Sequence, residues 1–264
     1  TRNAVGFVVL AILMAALFYW NINTGSVHLS LERMLTLLRW GNDGTTEGNI
    51  LWKIRLSRLL GAALLGGALS IAGFLLQTFF KNPIAGPFVL GISSGAKMTV
   101  CVAMLALLSR GKTTSSAILI AAAFVGAMVS MGFVLLAARK VNQMSMLVVC
   151  GVMISYICSA VTDFVVTFAD DADIVNLHNW SLGSFSGMSW DNVKTMAVVC
   201  GITLLLTFLL SKPIRAYQLG EVYAQNMGVP LRAFRTALIL LSSVLSACVT
   251  AFAGPISFVG IAVP

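Results

Sequence analysis

Charge is what this sequence has least of. Only 10% of its 264 residues are Asp, Glu, Lys or Arg, against about 25% in an ordinary soluble domain. With 58% hydrophobic residues and a mean hydropathy of +0.94, that scarcity excludes a water-soluble globule and a disordered chain. Clustered metal ligands are missing too. Cys101, Cys150, Cys158, Cys200 and Cys248 all sit inside apolar runs, with no CxxC or Cys/His spacing, and read as small buried hydrophobes. Basic runs are also absent. The net charge of +8 comes from residues placed singly or in pairs between apolar stretches. Such residues meet lipid headgroups, which leaves no case for nucleic acid as a partner.

What is present is a series of long apolar runs, at about 5–20, 59–80, 88–108, 117–138, 146–168, 193–210 and 236–253, with an eighth starting near Pro255. They are too long, and alternate too little, for strands of a β-barrel. The pattern predicts an all-α, polytopic transmembrane helical bundle with about seven spans and the start of an eighth. The chain begins without methionine and stops inside a run, so it reads as one transmembrane domain, 1–264, cut at its C-terminal end. Basic residues divide evenly between the two sides, and charge leaves orientation undecided.

Three connections carry more than a turn. Residues 21–54 read as a long polar loop. Between Asp173 and Trp190 lies a segment too short to span, expected as an interfacial or re-entrant helix. Residues 211–234 have helix formers from Ala216 to Met227 and breakers at Gly228 and Pro230, which predicts a surface helix.

Several motifs have a functional and a plain reading. Gly91-Ile-Ser-Ser-Gly95 fits the G-x-S-x-G pattern of a serine hydrolase, but the only histidines, His28 and His178, fall across the membrane from Ser93 by span counting. Small residues for close helix contact explain it better. Gly111-Lys112-Thr113 lacks the first glycine of a phosphate loop, Ala106 standing there, so the chain has no nucleotide site and is not itself an enzyme. Asp163, with Ser159 and Thr162 nearby, is either a pathway carboxylate or an interfacial acid near a helix end. It is also the one candidate ion site for an ion-coupled secondary transporter. His178 beside Trp180 is more simply structural than a ligand.

One family then becomes recognisable. Arg55-Leu-Ser-Arg58, Gly66 to Gly73, Gln77, Lys81-Asn-Pro-Ile-Ala-Gly-Pro87, Gly91 to Ala96, Trp180-Ser-Leu-Gly-Ser184, Trp190, Leu219-Gly-Glu221 with Ala224 and Gly228, and Gly254-Pro-Ile-Ser-Phe-Val-Gly260 follow in order. From about Lys53 to its end the chain resembles permease subunits of ABC importers for iron–siderophores, haem and cobalamin.

The resemblance implies ten helices in the bacterial or archaeal cytoplasmic membrane, of which this chain supplies the first seven and part of the eighth. It implies a second permease copy or paralogue, two ATPase subunits that hold the ATP and magnesium, an extracytoplasmic binding protein and no cofactor in the chain itself. Leu219, Gly220, Glu221, Ala224 and Gly228 would form the segment that couples to the ATPase. Arg55 and Arg58 would dock the binding protein, although Ser57 stands where the family has proline. Asn82 and Pro83, facing Asn142, Gln143 and Met144, would form the cytoplasmic gate. Asp163, Ser159 and Trp180 would line the pathway. A ferric siderophore is the expected cargo, with haem and cobalamin as alternatives.

Overall fold

The computed structural model describes residues 2–25, 27, 29–108, 116–140, 144–256 and 258–264. Thirteen α-helices follow in order: α1 (Arg2–Asn23), α2 (Leu31–Trp40), α3 (Thr46–Asn49), α4 (Ser57–Phe80), α5 (Ile92–Leu108), α6 (Ser116–Lys140), α7 (Met144–Val166), α8 (Asp171–Ser181), α9 (Trp190–Leu209), α10 (Ser211–Leu219), α11 (Glu221–Asn226), α12 (Leu231–Ala253) and α13 (Val259–Ala262). A π-helical turn, Ile50–Leu56, joins α3 to α4, and a 3-10 turn, Pro87–Leu90, precedes α5. No strand occurs among the described residues. Six helical stretches there are long and apolar enough to cross a membrane, and α5 is a shorter apolar helix of 17 residues. The molecule is a multi-pass helical membrane protein.

The chain groups into two units, one of residues 1–63 with 185–195 and one of residues 64–184 with 196–264. In the first, Ile22, Leu29, Met34, Leu37, Leu51 and Leu59 form a small core. The expected polar loop over 21–54 is instead largely helical. Ser30 caps α2, its side chain accepting from the Arg33 amide, and the segment LERMLTLLRW buries Met34 and Leu37 on one face. Thr45 caps α3 in the same way, its hydroxyl accepting from the Gly48 amide at 3.1 Å. The helix then runs unbroken from Thr46 to Phe80. At 1.5 Å per residue that is about 50 Å, well beyond a hydrocarbon core of about 30 Å.

The second unit is built on α4, α5, α6, α7 and α12, with Leu76, Ile92, Ala96, Met131 and Leu238 in its core. Small residues set the α5–α6 contact. A Cβ on Gly95 would stand 1.8 Å from the Ser130 hydroxyl oxygen, and one on Gly126 would stand 2.0 Å from that of Thr99. Gly91 has φ +73 and ends the 3-10 turn, so α5 begins at Ile92 rather than at residue 88. The G-x-S-x-G glycines therefore have structural tasks, as the packing reading held. The eighth run forms only the four-residue α13 after Gly254.

The short segment after α7 is helical, as expected, over Asp171–Ser181. Its acids have a local use: Asp170 stands at the N-cap position, Asp171 and Asp173 lie in the first turn and His178 in the last, each matching the helix dipole.

Candidate functional site

The surface segment expected as one helix over 216–227 is two helices set at a corner. Gly220 separates α10 from α11 at φ 138 and ψ 150, a backbone state open only to glycine. Pro213 is tolerated in the first turn of α10, where amides have no intrahelical acceptor. The far end closes in a Schellman motif: the Val229 amide donates to the Ala224 carbonyl at 3.0 Å and the Gly228 amide to that of Gln225 at 3.0 Å. Gly228 takes the left-handed position (φ 82), and Pro230 follows. The Gly220, Ala224 and Gly228 spacing is thus a corner, a buried anchor and a cap. Tyr217 and Ala224 are fully buried, with the Tyr217 ring against Phe234 at 5.3 Å between centroids. Leu219, Val222 and Met227 stay 72%, 73% and 65% exposed.

Glu221 begins α11 and gathers three parts of the chain. One carboxylate oxygen meets Arg235 Nη2 of α12 at 2.6 Å. The other lies 3.3 Å from Lys81 Nζ, just past the end of α4, and accepts from the Tyr217 hydroxyl at 3.0 Å. Lys81 Nζ also sits 5.2 Å from the centre of the Tyr217 ring. Partial burial works to raise the Glu221 carboxyl pKa, but hydrogen bonds from Arg235 and Tyr217, with the charges of Arg235 and Lys81, outweigh it and hold it below its ordinary value. Burial pushes the Tyr217 phenol up.

Lys81 reaches this place through an uncommon backbone. Helix α4 ends in a second Schellman motif, with Asn82 N donating to Gln77 O at 3.2 Å and Lys81 N to Thr78 O at 3.4 Å. Lys81 occupies the left-handed position (φ 50) that glycine usually fills. Asn82 then accepts from the Ile84 amide at 3.0 Å through its side chain, and Asn82 and Pro83 form an exposed turn. That turn is held beyond as well: a Cβ on Gly86 would stand 2.6 Å from Ile261 Cγ1, and Gln77 Nε2 donates to the Ile261 carbonyl at 3.0 Å. Sequence reasoning missed Lys81, Tyr217 and Arg235 as partners of Glu221. The one available signal was a lysine directly after the last apolar residue of a helix, where a glycine cap is the rule.

Of the other expected gate residues, Asn142 and Gln143 lie outside the described residues, and Met144 opens α7. On α7, Ser159 and Asp163 are four residues apart on one exposed face beside Tyr156. Trp180 lies on α8. It is half-buried against the core, and its segment packs on the 253–256 stretch: Ser184 N donates to Ala253 O at 2.7 Å, and a Cβ on Gly254 would stand 2.6 Å from Trp180 O. No hydrogen bond joins Ser93 to His178 among the described residues, and His28 lies outside them, as do Gly111, Lys112 and Thr113.

In the first unit the two arginines part company. Arg55, in the π-helical turn, is only 7% exposed and donates to the carbonyls of Ile22 and Val27 at the end of α1. A Cβ on Gly25 would stand 2.7 Å from its guanidinium. Arg55 is a buried cap for the end of α1 and does not present its guanidinium at the surface, which corrects the expectation of a docking pair. Arg58 is exposed, as is Lys53. Ser57 donates to the Lys53 and Met188 carbonyls (2.7 and 3.1 Å), while Trp190 Nε1 donates to Trp52 O at 2.7 Å.

The sequence profile of the FecCD transport family matches residues 12–264. The vitamin B12 import system permease protein BtuC of Klebsiella pneumoniae subsp. pneumoniae is 35% identical over 214 residues, which are 81% of this chain and 63% of that protein. BtuC of Escherichia coli strain UMN026 is 33% identical over 246 residues, 90% of this chain and 74% of that one. The chain thus spans 63% and 74% of the length of these two curated relatives. A solved structure described as an inward-facing metal-chelate type ABC transporter has the same fold, with a TM-score of 0.82 at 24% identity over 96% of this chain and 77% of that one. On the profile match from residue 12 to residue 264, the chain belongs to the FecCD transport family.

Proposed function

We propose that this chain is the permease subunit of an ATP-driven importer in the cytoplasmic membrane, moving a bulky metal chelate inward by alternating access. The observation that carries the reading is the α10–α11 pair. It is too polar to span, yet it keeps Leu219, Val222 and Met227 exposed, and Met227 lines a groove of about 490 Å³ with Pro213, Gly228, Phe234 and neighbours. An apolar face on a membrane protein's aqueous segment fits a partner protein. That partner is the ATPase, whose ATP and magnesium supply the energy. Its ATP-bound state must favour one permease state over the other, since equal affinity would shift nothing.

A second permease copy completes the pathway, with Asp163 and Ser159 on its wall. The binding protein docks through exposed Arg58, with Lys53 beside it, to carboxylates on its lobes. Asn82 and Pro83, with the 142–144 connection, form the gate. For the cargo, both relatives named above are vitamin B12 permeases, which supports cobalamin over the ferric siderophore expected from the sequence. The test is capture of the full-length permease from native membranes with an absorption spectrum of the co-purifying binding protein. An ATPase and a corrinoid band are expected; a ferric-chelate band would overturn the cargo, and a stable preparation without ATPase would overturn the importer.

A further inference from the structure

The Glu221 cluster ties together segments that the importer reading assigns to different tasks: α11, the turn holding Asn82 and Pro83, and the start of α12. We propose, resting on that reading, that Lys81 and Glu221 are positioning residues forming a latch, by which displacement of α11 drags the 81–86 turn along with α12. Three observations point the same way. Lys81 is held in a left-handed conformation that is unfavourable for a non-glycine residue, and its ammonium gains Glu221 and the Tyr217 ring there. Glu221 uses both carboxylate oxygens, on cations from two different membrane helices, with Tyr217 fixing its rotamer. The turn between them is anchored on its other side by Ile261 against Gly86, so a pull on Lys81 bends it against a fixed point and does not translate it freely.

A second link runs parallel, Gln218 Nε2 donating to Thr78 Oγ1 at 3.4 Å. It is long and neutral, and it joins α10 to α4 before the turn. The charged link alone reaches past the helix end to the residue that leads into Asn82. Half-exposed ion pairs are weak enough to break and re-form within a transport cycle, which suits a latch better than a permanent strut.

The test uses the full-length permease with its ATPase and binding protein in proteoliposomes, reading chelate taken up per ATP hydrolysed. Lys81→Gly is the informative variant. It relieves the left-handed strain, which offsets the freedom that glycine adds to the unfolded chain, and removes the side chain with its ammonium. Uptake per ATP should fall about 1.5- to fivefold, the range of one partly exposed ion pair, with ATPase capture unchanged. Lys81→Arg should restore it. Glu221→Gln should lose tenfold or more, and the double variant should lose no more than Glu221→Gln alone. Lys81→Gly with the wild-type ratio and bound ATPase would overturn the latch alone. A wild-type permease that captures no ATPase would overturn the importer reading and the latch with it.

Discussion

At the scale of single residues, Glu221 shows how a partly exposed carboxylate becomes structural. Its pKa is depressed in the folded chain, so the stability it contributes is present above the ordinary carboxylate value and disappears as pH falls through the lowered one. Thermal unfolding of wild type and Glu221→Gln in detergent should therefore differ by a constant amount from about pH 5 to 8, and the difference should shrink as pH falls below the ordinary carboxylate value. A difference that persists at the acid end would mean that the carboxylate's charge is not what holds α11. Asp43 is a comparison on the surface: the Thr45 hydroxyl, followed by the Thr45 amide and the Arg33 guanidinium, lowers its pKa to about 2, but the group is exposed and organises only its own loop.

Elements in this protein are decided by glycines that differ sharply in what surrounds them. A Cβ on Gly73 would stand 1.7 Å from the Gly260 carbonyl oxygen, whereas one on Gly66 meets nothing within 4 Å. Gly73→Ala must push α4 away from the 254–264 stretch, and a loss of several kcal/mol is expected, about the size of a strained core substitution. Gly66→Ala should be neutral or stabilising by about 0.5–1 kcal/mol from helix propensity. Guanidinium unfolding of the two variants in one detergent separates them; equal effects would mean that close packing is not what Gly73 serves. Both glycines stand in the same small-residue stretch, and nothing in the sequence distinguishes them. Helix existence, by contrast, was legible for every long run, because hydrocarbon forces each buried backbone group to bond within its own segment. The helices of 31–56 were not legible as such: their stability comes from caps at Ser30 and Thr45 and from burying Met34 and Leu37 against residues distant in sequence.

For the whole molecule, the separation of Arg55 from Arg58 bears on how partners attach. Arg58→Glu should weaken capture of the binding protein, more so at low salt, and leave thermal stability unchanged. Arg55→Ala should instead lower the unfolding temperature by leaving two carbonyls at the end of α1 without donors, at about 1–3 kcal/mol each. Pull-down and unfolding of both variants check this; loss of capture without loss of stability in Arg55→Ala would restore it as a docking residue. The sequence by itself determined that this is an all-α, multi-pass protein and which family its motifs belong to. Those properties follow from hydropathy summed over long windows and from glycine and proline placed at fixed offsets, both local in the chain. Only the tertiary structure decided that Glu221 faces Lys81 and Arg235, that the end of α8 packs on the 253–256 stretch, and that Arg55 caps α1. Those facts depend on which helices lie side by side. A chain with few charges leaves that open, because each of its cations has several helix ends within reach and only packing selects one.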